Sequence, residues 1–108
     1  MPLPDDEIRR RLRYLLDRNA DFGAWEPPER GAFWDPLRDA RSAHEVLAFM
    51  RTSRGLDFWK SCDPTRGWTA RFGYRWRGVV VSEATEERLE RAICLAALAA
   101  CGFARRGS

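Results

Sequence analysis

Gly67-Trp68-Thr69-Ala70-Arg71-Phe72-Gly73-Tyr74-Arg75-Trp76-Arg77 alternates strictly between two kinds of side chain. Trp68, Ala70, Phe72, Tyr74 and Trp76 share one parity, and Thr69, Arg71, Gly73, Arg75 and Arg77 share the other. A period of two places successive side chains on opposite faces of a strand. The spacing therefore predicts a strand with an aromatic face turned to the core and an arginine face turned outward. Large rings bury more apolar area per residue than any other side chain. The arginine face has two readings. Guanidinium is planar, permanently charged and bidentate, so an unbalanced row of it suits an anion. A row of this kind is equally satisfied by carboxylates on a neighbouring strand, or by water.

Arg77-Gly78 ends the stretch as a tight turn, with glycine supplying the permissive backbone. Val79-Val80-Val81 then continues as a strand, hairpin-paired to the first. That pairing would bring Glu83 opposite Arg71 or Thr69. Upstream, Asp63-Pro64-Thr65-Arg66-Gly67 is turn chemistry, and Leu56-Asp57-Phe58-Trp59-Lys60 leads into it as a strand or an irregular approach.

Helices flank this β segment. Asp5 or Asp6 caps a first helix running to about Asn19, with Ile8, Leu12, Leu15 and Leu16 in its apolar stripe. Ser42-Ala43-His44-Glu45 reads as a capping box, with Asp39 a competing cap. Val46, Leu47, Phe49 and Met50 follow as the buried face, and Gly55 stops that helix. A last helix is expected from Thr85, with Glu86, Glu87 and Glu90 at the end its dipole favours. From Ala92 it is apolar nearly all round, so it is expected to be buried on more than one side, with self-association one way to achieve that. Gly102 stands where a C′ glycine belongs. Residues 20–38 read as a loop, broken by Gly23, Pro27-Pro28, Gly31 and Pro36 and carrying Phe22, Trp25, Phe33 and Trp34.

The whole is predicted to be one α+β domain over residues 1–108. The expected form is a small α/β/α layered sandwich, an antiparallel sheet of about three strands with three helices. Composition is that of an ordinary globular chain, 44% hydrophobic and 32% charged, so disorder throughout is excluded. A formal charge of +3 favours an anionic partner only weakly. Cys94 and Cys101 lie two helical turns apart, about 10 Å, too far for a disulfide. With Cys62 they fit a reducing compartment and show no metal-ligand spacing. The acidic opening Met1-Pro2-Leu3-Pro4-Asp5-Asp6 lacks an export signal's apolar segment, and the apolar run after Ala92 is too short for a bilayer. A cytoplasmic location and no membrane partner are expected.

Asp39-Ala40-Arg41-Ser42-Ala43-His44-Glu45-Val46, the aromatic strand opening at Trp68, Thr85, and Ala92-Ile93-Cys94-Leu95-Ala96-Ala97-Leu98 together resemble the phage ABA sandwich domain family over about residues 35–103. The Ala-Ile-Cys-Leu-Ala-Ala-Leu string is the specific part. Where that family has a Tyr-Ser-Thr run before its Asp, this chain has Pro36-Leu37-Arg38. The resemblance implies an α/β/α domain of a phage or prophage, acting in the host cell, where proteins of this size often counter defence. The matching positions are capping and packing residues, so the resemblance transfers no catalytic or binding residue.

Function is therefore read from the residues. One histidine, His44, no glycine-rich phosphate loop and no metal spacing argue against an enzyme, and no cofactor is expected. The leading expectation is a phage anti-defence protein sequestering a nucleotide-type signalling ligand. Arg66, Arg71, Arg75 and Arg77 would hold the phosphates, and Tyr74 or Trp76 would stack the base. On a regular strand the rings point away from the arginines, so a combined site needs a bulge at Gly73, a second subunit of a homo-oligomer, or rings from the 20–38 loop. The alternative is a protein inhibitor of a defence effector, of the anti-CRISPR kind. Trp25, Phe33 and Trp34 would anchor it and the arginine face would steer it. Direct nucleic-acid binding ranks third, because the net charge is small for it.

Overall fold

The computed structural model describes residues 3–18 and 35–103. In chain order these form α1 (Asp5–Arg18), α2 (Ala40–Arg54), β1 (Asp57–Asp63), β2 (Gly67–Tyr74), a 3₁₀ turn (Arg75–Arg77), β3 (Val79–Glu86) and α3 (Leu89–Ala100). The strands make one antiparallel sheet in the order β1-β2-β3. An α+β globule of three helices on a three-stranded antiparallel sheet is the fold the periodicities predict.

β2 is the central strand, and its alternation decides which way the sheet faces. Ala70 and Phe72 are fully buried, with Trp68 and Tyr74 half-buried on the same parity. Phe58 of β1 lies opposite Phe72 in register, their ring centroids 5.4 Å apart. On this side the sheet meets the helices, and α3 packs against both β2 and β3. Ile8, Leu12, Leu15 and Leu16 of α1 and Val46, Phe49 and Met50 of α2 close the same core. The sheet's other face carries Trp59, Ser61, Thr69, Arg71, Glu83 and Thr85, and no described helix lies on it.

α3 is buried at Ala92, Ile93, Cys94, Ala96, Ala97 and Leu98, with α1, α2, β2 and β3 around it. Most of its apolar surface is thus covered within the chain, with Leu95 and Ala100 partly buried. Its small side chains let the sheet approach, and the buried Ser82 hydroxyl donates to the Ala96 carbonyl at 2.7 Å. The C-terminus closes as a Schellman motif. Gly102 N–H donates to the Ala99 carbonyl and Phe103 N–H to the Leu98 carbonyl, with Gly102 at φ 78°.

Four boundaries differ from the sequence expectations. The aromatic strand stops at Tyr74, because the Asp57 carboxylate accepts the Arg75 N–H at 3.2 Å and Gly78 N–H closes an i→i+3 turn onto the Arg75 carbonyl. The connection is thus a four-residue hairpin loop, not a two-residue turn. Second, α3 begins at Leu89, not Thr85. Thr85 stays in β3 because its hydroxyl pairs with Thr69 across the ladder at 2.8 Å, and cross-strand pairs of this kind favour the strand. Third, the cap of α2 is Asp39, which accepts from the Arg41 and Ser42 N–H groups and from the Ser42 hydroxyl. Ser42 is a buried partner of the cap, not the cap itself. Fourth, β1 runs on to Asp63, which turns the chain by accepting from the Thr65 N–H, the Thr65 hydroxyl and the Arg66 N–H. Residues 20–34 of the expected loop lie outside the described residues.

The β2–β3 pairing contains a bulge. Phe72 faces Ser82 and Gly73 faces Val80, leaving Val81 extra. Gly73 is buried, and a Cβ there would collide with the Val79 carbonyl oxygen. Backbone atoms cannot yield as a side chain would, so Gly73→Ala is expected to lower Tm by roughly 10 °C in a thermal melt.

Ion pairs fasten α1. The Arg10 and Arg11 guanidiniums beside Glu7 hold its carboxyl down from 4.5 to about 2. At Asp35 burial pushes the carboxyl up, but the bidentate Arg9, the Leu37 N–H and the Arg38 charge together outweigh it and hold the group below its ordinary value. A carboxyl depressed in the folded state contributes stability above its unfolded pKa and loses it on protonation. Stability is therefore expected to fall as pH drops from 4.5 towards 2, and Glu7→Gln should flatten that slope in chemical denaturation at stepped pH.

Candidate binding surface

β1 and β3 set two chemically distinct regions on the side of the sheet away from the helices. The first is a polar middle. Arg71 lies between Trp59 of β1 and Glu83 of β3 in register. Its Nε donates to Glu83 at 3.0 Å and one terminal nitrogen donates to the Ser61 hydroxyl at 3.2 Å. Arg71 is thus neutralised within the chain, the first of the two cross-strand positions, Arg71 or Thr69, expected for Glu83. Beside it the Thr69 and Thr85 hydroxyls satisfy each other.

The second region is the hairpin tip. The 3₁₀ turn takes Arg75, Trp76 and Arg77 out of the strand, so the expected row of three arginines does not form. Arg71 stands on the ladder, and Arg75 and Arg77 stand on the turn. Trp76 likewise leaves the aromatic face and is 75% exposed. The Arg77 guanidinium covers its ring at 4.4 Å, and the Arg75 guanidinium lies 5.9 Å from the Trp59 ring. Both distances are within cation–π reach. Val79, Val80 and Val81 continue the tip at 43%, 46% and 45% exposure. They belong to β3, an edge strand whose outward backbone groups no described strand pairs.

The remaining expected site residues disperse. Tyr74 sits half-buried on the helical side of the sheet, packed against the core. Arg66 is exposed in the β1–β2 turn, at the opposite end of β2 from Arg75. Trp25, Phe33 and Trp34 lie outside the described residues. Trp59 was not among the residues singled out. Its parity in β1 puts it on the arginine side, but only the β1–β2 register reveals that it faces Arg71.

The tip is an open, convex, cationic and apolar feature, suited to lying against a surface. Among the described residues no cluster of three His, Cys, Asp or Glu side chains could hold a metal ion. Cys94 is buried, donates to the Pro36 carbonyl at 3.3 Å, and has its thiol pKa pushed up by that burial. No described helix is long and apolar enough to cross a membrane. No family model, curated protein or solved structure matches the chain.

A large ring this exposed adds little to folding. Trp76→Ala is expected to change unfolding free energy by less than about 0.5 kcal/mol. Arg71 and Glu83 keep 29% and 56% of their side-chain surface in water. A double-mutant cycle on that pair should give a coupling of about 0.2–1 kcal/mol, shrinking with added salt.

Proposed function

We propose that the chain is a non-catalytic binding protein whose β2–β3 hairpin tip engages an acidic patch on a protein partner. The observation that carries this reading is the solvent-exposed Trp76, flanked by Arg75 and Arg77 and continued by Val79, Val80 and Val81. Tryptophan and arginine are the side chains that most often dominate binding energy at protein interfaces. An edge strand beside them can add backbone hydrogen bonds to an extended segment of the partner. The resemblance to phage ABA sandwich domains supports a partner among host defence proteins. The chain would then act as an inhibitor in the host cell.

A smaller anion, of the nucleotide type, is the second reading, and one observation favours it. Trp59 and Arg75 stand together on the open sheet face, offering a stacking plane and a phosphate donor side by side. Against it, Arg71 is already paired with Glu83, and Arg75 and Arg77 stand on a protruding turn that does not enclose a small ligand.

The two are separated by placing a photo-crosslinking residue at Val80 and irradiating in host cells. One stoichiometric acidic protein is expected to crosslink there. Trp76→Ala and Arg77→Glu should each reduce its capture at least roughly tenfold, as loss of an interface hot spot would. Failure to crosslink any protein, together with saturable binding of a dinucleotide that Trp59→Ala abolishes, would replace the first reading by the second.

A further inference from the structure

The helical side of the sheet is unevenly covered. α3 lies along β2 and β3, whereas α2 meets β1 over a short stretch only. Between α2, β1 and the start of α3 this leaves a recess of about 110 Å³. Its apolar wall is formed by Leu47, Phe58 and Ile93, and His44, Lys60 and Glu90 stand at its polar edge. A shallower trough of about 360 Å³ shares His44, Leu47 and Phe58 with it and ends at Arg51. His44, Leu47 and Arg51 are spaced i, i+3, i+7, so one stripe of α2 makes this wall. Together the recess and trough reach the lower end of the volumes that hold small ligands.

The charges around this groove are lopsided. Among the described residues, neither Lys60 nor Arg51 has a carboxylate partner. The Lys60 ammonium instead lies 5.6 Å from the Trp68 ring, a contact that leaves its hydrogen-bond donors available. His44 is exposed and supplies an imidazole donor on the facing wall. The one acid, Glu90, is already 3.8 Å from the Arg88 guanidinium. Its charge still opposes a doubly charged headgroup such as phosphate more than a singly charged one.

We infer that this groove binds a small amphiphilic carboxylate. An aryl or short alkyl body lies on Leu47, Phe58 and Ile93, and the carboxylate is held at the edge by Lys60 and His44. The site is separate from the hairpin tip, and neither depends on the other.

The test uses the full-length, isotopically labelled chain titrated by NMR with 4-phenylbutyrate and, in parallel, its uncharged counterpart 4-phenylbutanol. The butyrate should saturate, shifting the amides of Ala43, His44, Lys60 and Glu90. It should bind roughly two- to fivefold more tightly than the alcohol, the worth of one exposed ionic contact. Lys60→Gln should erase that difference while leaving the alcohol unaffected, and Arg51→Gln should change neither ligand's affinity. Ala48→Trp, placed on an exposed position lining the trough, should weaken both ligands. All three substituted side chains are exposed, so the folded spectrum is retained and the comparison stays valid. Equal or tighter binding of the alcohol, shifts centred on Arg75–Arg77, or no saturable binding of the butyrate would each overturn the inference.

Discussion

Everything in the described fold leans on the contact between α3 and the paired strands β2 and β3. Ala92, Ala96 and Ala97 present almost no side chain, so the helix backbone can settle close to the sheet. One buried polar group lies at the interface of β3 and α3, the Ser82 hydroxyl, and it is satisfied by the Ala96 carbonyl. A buried donor left unpaired would cost about 1–3 kcal/mol. Close approach therefore fixes position along the helix as well as distance from it. α1 and α2 then pack against a platform whose register is already set, with Leu12, Leu16, Phe49 and Met50 filling the remaining core.

That arrangement leaves one side of the sheet for other uses. Helices on a single face bury Ala70 and Phe72, and the same strand's opposite parity is left to Thr69 and Arg71. The polar middle of that face is closed within itself: arginine to glutamate and serine, threonine to threonine. What remains unsatisfied is displaced to the tip, where the backbone leaves the ladder. The bulge contributes, because an extra residue in β3 bends the strand and increases its local twist just before the turn.

How much of this was legible in the sequence follows the range of the forces involved. The alternation from Trp68 to Tyr74 is a local pattern and predicted both the strand and its buried face. A partner for Glu83 on β2 was legible only as Arg71 or Thr69, because the longer loop and the bulge that set the register were not. The end of the strand was not, because it is set by Asp57, eighteen residues upstream, accepting from the Arg75 backbone. Alternation of side-chain type continued to Arg77 after the backbone had changed conformation. Thr85 failed as a cap for a similar reason: a hydroxyl serves a cap or a cross-strand partner, and only the register shows that Thr69 is waiting. The groove beside β1 left no mark at all. His44 and Lys60 are ordinary surface residues in sequence, and only the unequal coverage of the sheet brings them to one cavity.

The attachment of α1 has a kinetic side. Arg91 of α3 pairs with Asp5 and donates to the Leu3 carbonyl, and Arg11 donates to the carbonyl of Phe103. α1 is thus held by α3 and the turn that follows it, across separations of 86 to 92 residues. On a ribosome adding about 5–20 residues per second, α1 waits on the order of ten seconds for its partner. During that interval Ile8, Leu12, Leu15 and Leu16 lack the cover that α3 gives them. Such long-range closure raises contact order and slows folding. The nascent chain is therefore most exposed to chaperones and proteases before α3 emerges.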